Sequence, residues 1–318
     1  MKKILAAAAV VLLSSNPHGF AASSYPDRPI KMIVPWAAGG DTDSIYRSLA
    51  PLLQKHLGQP VIVANVKGAS GTVGEREAAG ATADGYTIFA PHDYIHSVYY
   101  AGLTDIAYDK TFDPICLVSS TPSVVTAGAK TPWKTFKEMA ADAKAHPGTI
   151  TVGASLGSTS QYSMALMAKA AGIKLKYVPY DGTAPRMNAL LGGHIDLADS
   201  NLTQKAKVDA GLLRFLAIMS EKRDPALPDV PTLKELGYDV EYAVNRGIMV
   251  PKGTPAAVEA TLEKACAAAA KEPDFAKAMA LQGTQVHFLD SKAYTAFLKK
   301  DDATTKEITA DLGLLKRE

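Results

Sequence analysis

The sequence is poor in cysteine, close to electrically balanced, and free of long apolar runs. Its only cysteines, Cys116 and Cys266, lie far apart, and no C-x-x-C pair occurs. A zinc ribbon or a thioredoxin-type redox site is therefore excluded. Lys and Arg number 34 against 32 Asp and Glu, too even a balance for a protein that grips nucleic acid by charge. No apolar run reaches the roughly 20 residues that a bilayer-spanning helix requires. A G-K-[ST] phosphate loop is missing, and Gly68-x-x-Gly71-x-x-Gly74 lacks the first spacing of the dinucleotide fingerprint. Disorder is excluded by the 47% of apolar residues against 21% charged.

What is present begins with an address. Lys2 and Lys3 precede the apolar run 4–13, and Gly19-Phe20-Ala21 offers small residues at the positions a signal peptidase reads. The spacing predicts a signal peptide over 1–21, cleaved after Ala21 or one residue later, with no cysteine there to carry a lipid. The protein is thus expected outside the cytoplasm, most simply in a periplasm. Losing Lys2 and Lys3 brings the remaining charges into balance, so any preference for anions must come from local geometry. An oxidising compartment permits a disulfide. Cys116 in an apolar strand and Cys266 in an Ala-rich helix nevertheless read as two separately buried thiols.

The chain alternates strands and helices. Ile30–Val34 reads as a buried strand, a turn follows at 35–40, and Asp41, Thr42 and Asp43 are N-cap candidates for a helix over 44–57. Val61–Ala64, a glycine turn at 68–71, a helix to about Ala79 and a strand Thr87–Ala90 complete a βαβαβ pattern, which predicts a parallel sheet with helices on its faces. The theme returns with strands at 149–153, 176–180, 195–198 and 215–219, helices at 161–171, 183–192 and 206–211, and three helices at 255–271, 273–282 and 291–312. Extended stretches near 116–126 and 240–250 read as crossovers. We therefore expect two α/β domains, one discontinuous (22–125 plus 245–318) and one continuous (126–244), facing each other across a cleft.

Three strand–turn–helix junctions, 35–43, 67–72 and 155–160, each present free backbone N–H groups at a helix start, with glycine allowing close approach. Helix N-termini favour anions by dipole and by unpaired donors. Trp36, Ala38, Gly39, Gly40 and Thr42 belong to the first turn, Ala69, Ser70, Gly71 and Thr72 to the second, and Ser155, Ser158 and Thr159 to the third. No turn carries an Arg, which is a design for holding a carboxylate with neutral dipoles. Asp199, after a strand, is a candidate acceptor for a ligand's donor. Arg246 is a candidate for a second ligand carboxylate through its planar fork, or for a salt bridge across the hinge.

Two motifs mimic catalysis. Gly153-Ala154-Ser155-Leu156-Gly157 matches G-x-S-x-G, and Asp196 or Asp199 with His287 would complete a triad in order, but no H-G-G-G segment precedes it. His92 and His96 have the spacing of a zinc helix, yet Asp rather than Glu follows the first His, and no third ligand sits at useful spacing. The segment 91–96 reads as a polar loop at the cleft rim, with His92, Asp93 and Tyr94 facing the ligand. No metal, cofactor or catalytic residue is expected.

Tyr25-Pro26-Asp27-Arg28-Pro29-Ile30, leading into Val34-Pro35-Trp36 and on to Gly39-Gly40-Asp41-Thr42-Asp43, resembles the opening of Bug-type proteins, the TctC-like solute receptors of tripartite tricarboxylate transporters. The resemblance continues through Gly68-Ala69-Ser70-Gly71, Asp84-Gly85-Tyr86-Thr87, Val178-Pro179-Tyr180-Asp181-Gly182, Leu191–Asp196, Arg223–Thr232 and Pro251–Pro255. It implies a two-lobed periplasmic-binding-protein fold of type II kind, a hinge of two crossover strands, and capture of a small organic carboxylate for delivery to membrane permease subunits; a signalling role, in which the closed receptor is read by a sensor protein, is a rival reading. A monomer is expected. The leading ligand class is a di- or tricarboxylate. An aromatic carboxylate facing Trp36, Tyr94 and His92 is the alternative, and a serine esterase built on Ser155 is the rival from another class. The chain departs from the family pattern at Ala38, Gln161, the loop 91–96 and Arg246, positions suited to select the ligand's body.

Overall fold

The computed structural model describes residues 25–317. The expected signal peptide lies outside them. Two mixed sheets organise the chain. The first lobe opens with β1 (Ile30–Val34), α1 (Asp41–Leu57), β2 (Val61–Asn65), α2 (Thr72–Ala79) and β3 (Thr87–Phe89). In this lobe β1 pairs in parallel with both β2 and β3, as a βαβαβ pattern requires. Helices α3 (Tyr94–Tyr100) and α4 (Tyr108–Thr111) lead to β4 (Phe112–Pro122).

The chain then crosses into a second sheet. It comprises β5 (Val124–Gly128), α5 (Phe136–Ala145), β6 (Thr151–Ala154), α6 (Thr159–Ala171), β7 (Lys176–Pro179), α7 (Thr183–Gly192), β8 (Leu197–Ser200), α8 (Lys205–Asp209) and β9 (Leu213–Ile218), in the order β7-β6-β8-β5-β9. It returns through β10 (Ala243–Pro251) and finishes with α9 (Ala256–Ala270), α10 (Pro273–Leu281), β11 (Gln285–Leu289) and α11 (Ser291–Asp311). The first sheet is ordered β11-β4-β10-β3-β1-β2. The long antiparallel pair β4–β10 ends where the chain enters and leaves the second lobe, so the connections run side by side as a hinge. Sheet membership supports two lobes, the first built from two stretches of chain. Among the described residues no helix is long and apolar enough to cross a membrane.

Helix α1 shows how the sequence dictates its own packing. Ile45, Tyr46, Leu49, Leu53 and Leu57 recur at helical spacing and are buried, and Gly58 ends the helix in the left-handed conformation. The helix starts at Asp41, earlier than the expected residue 44, with Gly40 as N-cap. Asp41 and Asp43 therefore sit inside the first turn, where the dipole favours a negative charge. The expected loop over 91–96 is corrected too. Tyr94–Tyr100 is a helix, and His96 is buried within it between Asp301 (3.4 Å) and Asp302 (3.1 Å) of α11. Its aromatic and β-branched residues are weak helix formers, so burial against the lobe, rather than propensity, fixes this segment.

The two separately buried thiols are also corrected. Cys116 on β4 and Cys266 on α9 form a disulfide. Both side chains are fully buried, and α9 packs across β4 so that these core positions face each other. The bridge closes a loop of 150 residues that contains the entire second lobe. Removing such a link releases denatured-state entropy. Replacing both cysteines by Ala is expected to cost about 2–5 kcal/mol, read as a lowered urea midpoint, and adding a reductant to the wild type should lower it in the same direction.

Candidate functional site

The cleft is built by turns that begin helices. In the first lobe, the turn between β1 and α1 is pinned by Asp43, whose carboxylate accepts from Gly39 N (2.9 Å), Asn65 Nδ2 (2.8 Å) and Arg47 Nε (2.9 Å). Asn65 Nδ2 also donates to Trp36 O (3.0 Å). This fixes Trp36 against His92, their rings parallel with centroids 5.0 Å apart, while Tyr94 packs edge-on to both. His92 Nδ1 accepts from Tyr94 N (3.1 Å), which leaves the ring proton on Nε2. Burial lowers the His92 pKa despite the neighbouring Asp93, so the ring is neutral near pH 7.

In the second lobe, Ser155 follows β6. Its hydroxyl donates to Tyr180 O (2.7 Å) and accepts from Gly182 N (3.2 Å). A hydroxyl proton held by a backbone carbonyl is not activated for attack, and among the described residues no His bonds the Ser155 hydroxyl. Gly153, the first glycine of the G-x-S-x-G match, has a packing role instead. A Cβ there would lie 2.4 Å from Ile195 and 2.9 Å from Arg186 Cγ, so its absence lets Arg186 lie over β6.

The lobes meet around a cavity with about 30 Å³ of room for the centres of water molecules, space for one or two waters. The N-termini of α1, α6 and α7 all reach it. Trp36, Gly40, Thr42, His92, Ser155, Ser158, Thr159, Asp199 and Arg246 line it, as do Asp41, Ser160, Gly182, Thr183, Arg186 and Val244. The other expected contacts sit elsewhere. Ala38 and Gly39 are exposed on the rim. Ala69, Gly71 and Thr72 belong to a turn beside the cavity, and Ser70 of that turn bridges the lobes by donating from Oγ to Leu156 O (2.7 Å). Asp93 is turned to Asn245, accepting from N (3.0 Å) and Nδ2 (2.8 Å). Tyr94 is buried behind Trp36 and donates to Gly71 O (3.0 Å).

Asp41, a helix-cap candidate in the sequence, carries more than a cap. Its Oδ1 accepts from Thr183 Oγ1 (2.6 Å), and its Oδ2 from Asn201 Nδ2 (3.0 Å) and Arg246 Nη2 (2.6 Å). Burial pushes its pKa up, but Arg246, the Thr183 hydroxyl and Arg186 outweigh that and hold it below the usual carboxylate range. Arg246 does face the cavity, with every guanidinium nitrogen engaged: Nε on Thr42 Oγ1 (3.0 Å), Nη1 on Thr121 Oγ1 (2.8 Å) and Val244 O (3.3 Å), and Nη2 on Asp41. Arg186, also unforeseen, is less fully used. Its Nε donates to Asp199 O (3.2 Å) and its Nη2 to Thr183 Oγ1 (3.4 Å). Among the described residues no acceptor is bonded to its Nη1.

Asp199 lies 3.8 Å from Arg186 through Oδ2, and its buried Oδ1 has no hydrogen-bond partner among the described residues. Burial lifts its pKa to about 6, with Arg186 and the nearby Ser123 hydroxyl opposing and Asp41 adding to the rise. Trp36 Nε1 is buried without a partner as well. Among the described residues no His, Cys, Asp and Glu cluster has the arrangement of a metal site. A larger hollow of about 290 Å³ lies outside the cleft near α3, α4 and α11, lined mainly by tyrosines and lysines of the first lobe.

The family model described as tripartite tricarboxylate transporter family receptor matches residues 45–314. The UPF0065 protein in the gbd 5' region of Cupriavidus necator is 33% identical over 99% of this chain and 97% of its own. The solved structure of the periplasmic binding protein BugD is similar with a TM-score of 0.87 and 34% identity, covering 92% of this chain and 100% of that one. MatC from Rhodopseudomonas palustris, solved with bound malate, gives a TM-score of 0.83 and 27% identity, covering 89% and 99%.

The Asp199 carboxyl yields a testable pH signature. Its folded pKa lies above the unfolded value, so its contribution favours the folded state below about pH 4 and is lost as pH rises through about 6. The loss amounts to up to about 3 kcal/mol. Urea unfolding of the wild type between pH 4 and 7 should contain this falling component, and Asp199→Asn should lack it.

Proposed function

The chain belongs to the tripartite tricarboxylate transporter receptor family, and from that premise we propose that it captures a small organic carboxylate in the cleft between its lobes and delivers it to a membrane permease. The observation that carries this reading is the meeting of three helix N-termini, those of α1, α6 and α7, at one cavity with Arg186. Unpaired N–H groups and aligned dipoles favour an anion there, and Arg186 adds a charge with donor capacity to spare. Malate, named with the MatC structure, makes dicarboxylates and their larger relatives the starting class. An aromatic carboxylate is the second reading, favoured by the parallel Trp36 and His92 rings.

The proposed mechanism is closure. Donors for the ligand come from both lobes, so the ligand stabilises the closed arrangement by contacts that the open one cannot make. The working site would be the periplasm, the state a monomer, and the partners a permease and a sensor ectodomain that recognises the closed form. Neither catalysis nor a cofactor enters this account.

A thermal-shift screen of the mature protein tests it, using mono-, di-, tri- and aromatic carboxylates beside the fully amidated counterpart of each hit. An acid that binds should add about 2.7 kcal/mol of stability at a hundredfold excess over Kd, and its neutral amide should add none. Equal shifts from acid and amide, or no shift with any acid, would remove the carboxylate assignment.

A further inference from the structure

We infer that Asp41 is a specificity residue: it fills one anion position of the cleft with the protein's own carboxylate, so the ligand this cleft accepts carries a single carboxylate and an uncharged polar end. This rests on the carboxylate reading above and replaces its dicarboxylate starting class.

Arg186 and Arg246 are the two guanidiniums lining the cavity. Arg246 is the group a second ligand carboxylate would need, and protein acceptors already take four of its five N–H donors, Asp41 among them at 2.6 Å, which leaves too few for a bidentate carboxylate. Thr183 and Asn201 hold Asp41 from the opposite lobe, as they would hold a ligand's carboxylate. Asp41 also sits in the first turn of α1, so the dipole there already faces a negative charge. A ligand carboxylate that displaced it would leave a buried charge without its partner, and one placed beside it would meet a like charge across a water-poor gap.

What remains serves one anion. Arg186, with its unbonded Nη1, and the helix starts at Thr159 and Thr183 can hold a single carboxylate. The unpartnered Trp36 Nε1 and Asp199 Oδ1 are a donor and an acceptor on residues lining the same cavity. A primary amide carries both a donor and an acceptor for the polar side chains that line the gap, and it adds no charge beside Asp199. A second carboxylate carries acceptors alone and repels Asp199.

Calorimetric titration with matched pairs tests this: succinate against succinamate, glutarate against glutaramate, and phthalate against phthalamate. Each pair differs by one charge at nearly constant size. The wild type should bind the monoamide at least about tenfold more tightly than the diacid. Asp41→Asn, which frees Arg246 and removes the like charge, should reverse the preference. Thr183→Val loosens the grip on Asp41 but keeps its charge, so it should weaken both partners of a pair and leave their ratio alone. A wild-type preference for the diacid overturns the inference while leaving the carboxylate reading intact, and this holds even if the variants fail to fold. An unchanged ratio in folded Asp41→Asn overturns it as well. Binding of no member by either protein removes both readings.

Discussion

The start of an α-helix leaves backbone N–H groups without carbonyl partners, and here three such starts are brought to one gap between two lobes. That constraint organises the cleft. The turn before α1 is pinned by Asp43, the turn before α6 by Ser160 Oγ accepting from Ser155 N (2.9 Å), and the turn before α7 by Ser155 Oγ accepting from Gly182 N. Each pin uses a side chain to hold a turn's backbone, leaving further donors at the helix starts for what enters the gap. Gly182, at a φ of 107°, takes a backbone conformation that side chains rarely adopt, and it does so beside Trp36 and Ala37 of the first lobe.

Asp41 belongs to this logic. A carboxylate at the first turn of α1 is locally favourable, and the groups opposite it, Thr183 and Asn201, are oriented as anion receptors. It therefore acts between the lobes in the way an anionic ligand would. With Ser70 Oγ on Leu156 O, it gives the closed arrangement its own cross-lobe contacts, so a ligand has to add to a partly satisfied interface.

Much of the architecture was legible in the sequence because it is local. The βαβαβ opening follows from apolar strands, glycine turns and helical spacing over short stretches, and the three C-terminal helices follow in the same way. Helix α5 is equally legible in principle, because Thr135 and Glu138 form a capping box that marks its start. The misses are tertiary. Helix α3 is held by burial of His96 against α11, which its own residues do not announce. The Cys116–Cys266 bridge depends on α9 crossing β4, a fact with no trace in the spacing of two cysteines. In the cleft, hydroxyls in glycine turns could be picked out, since their chemistry is carried by neighbours in sequence. Arg186 and the Asp41–Arg246 pair could not, because their meaning lies in partners 13 to more than 200 residues away. The expected contribution of Asp93 fails to reach the cavity for the same reason, as Asn245 claims it.

The central claim is that the ligand's carboxylate is held by helix starts at the interlobe cavity. The structure of the complex with whichever acid gives the largest thermal shift tests it directly. The account predicts a carboxylate between the N-termini of α6 and α7, within hydrogen-bonding distance of Arg186, with the Asp41–Arg246 pair intact. A carboxylate bound outside the cleft, for instance in the tyrosine- and lysine-lined hollow near α3 and α11, would contradict it.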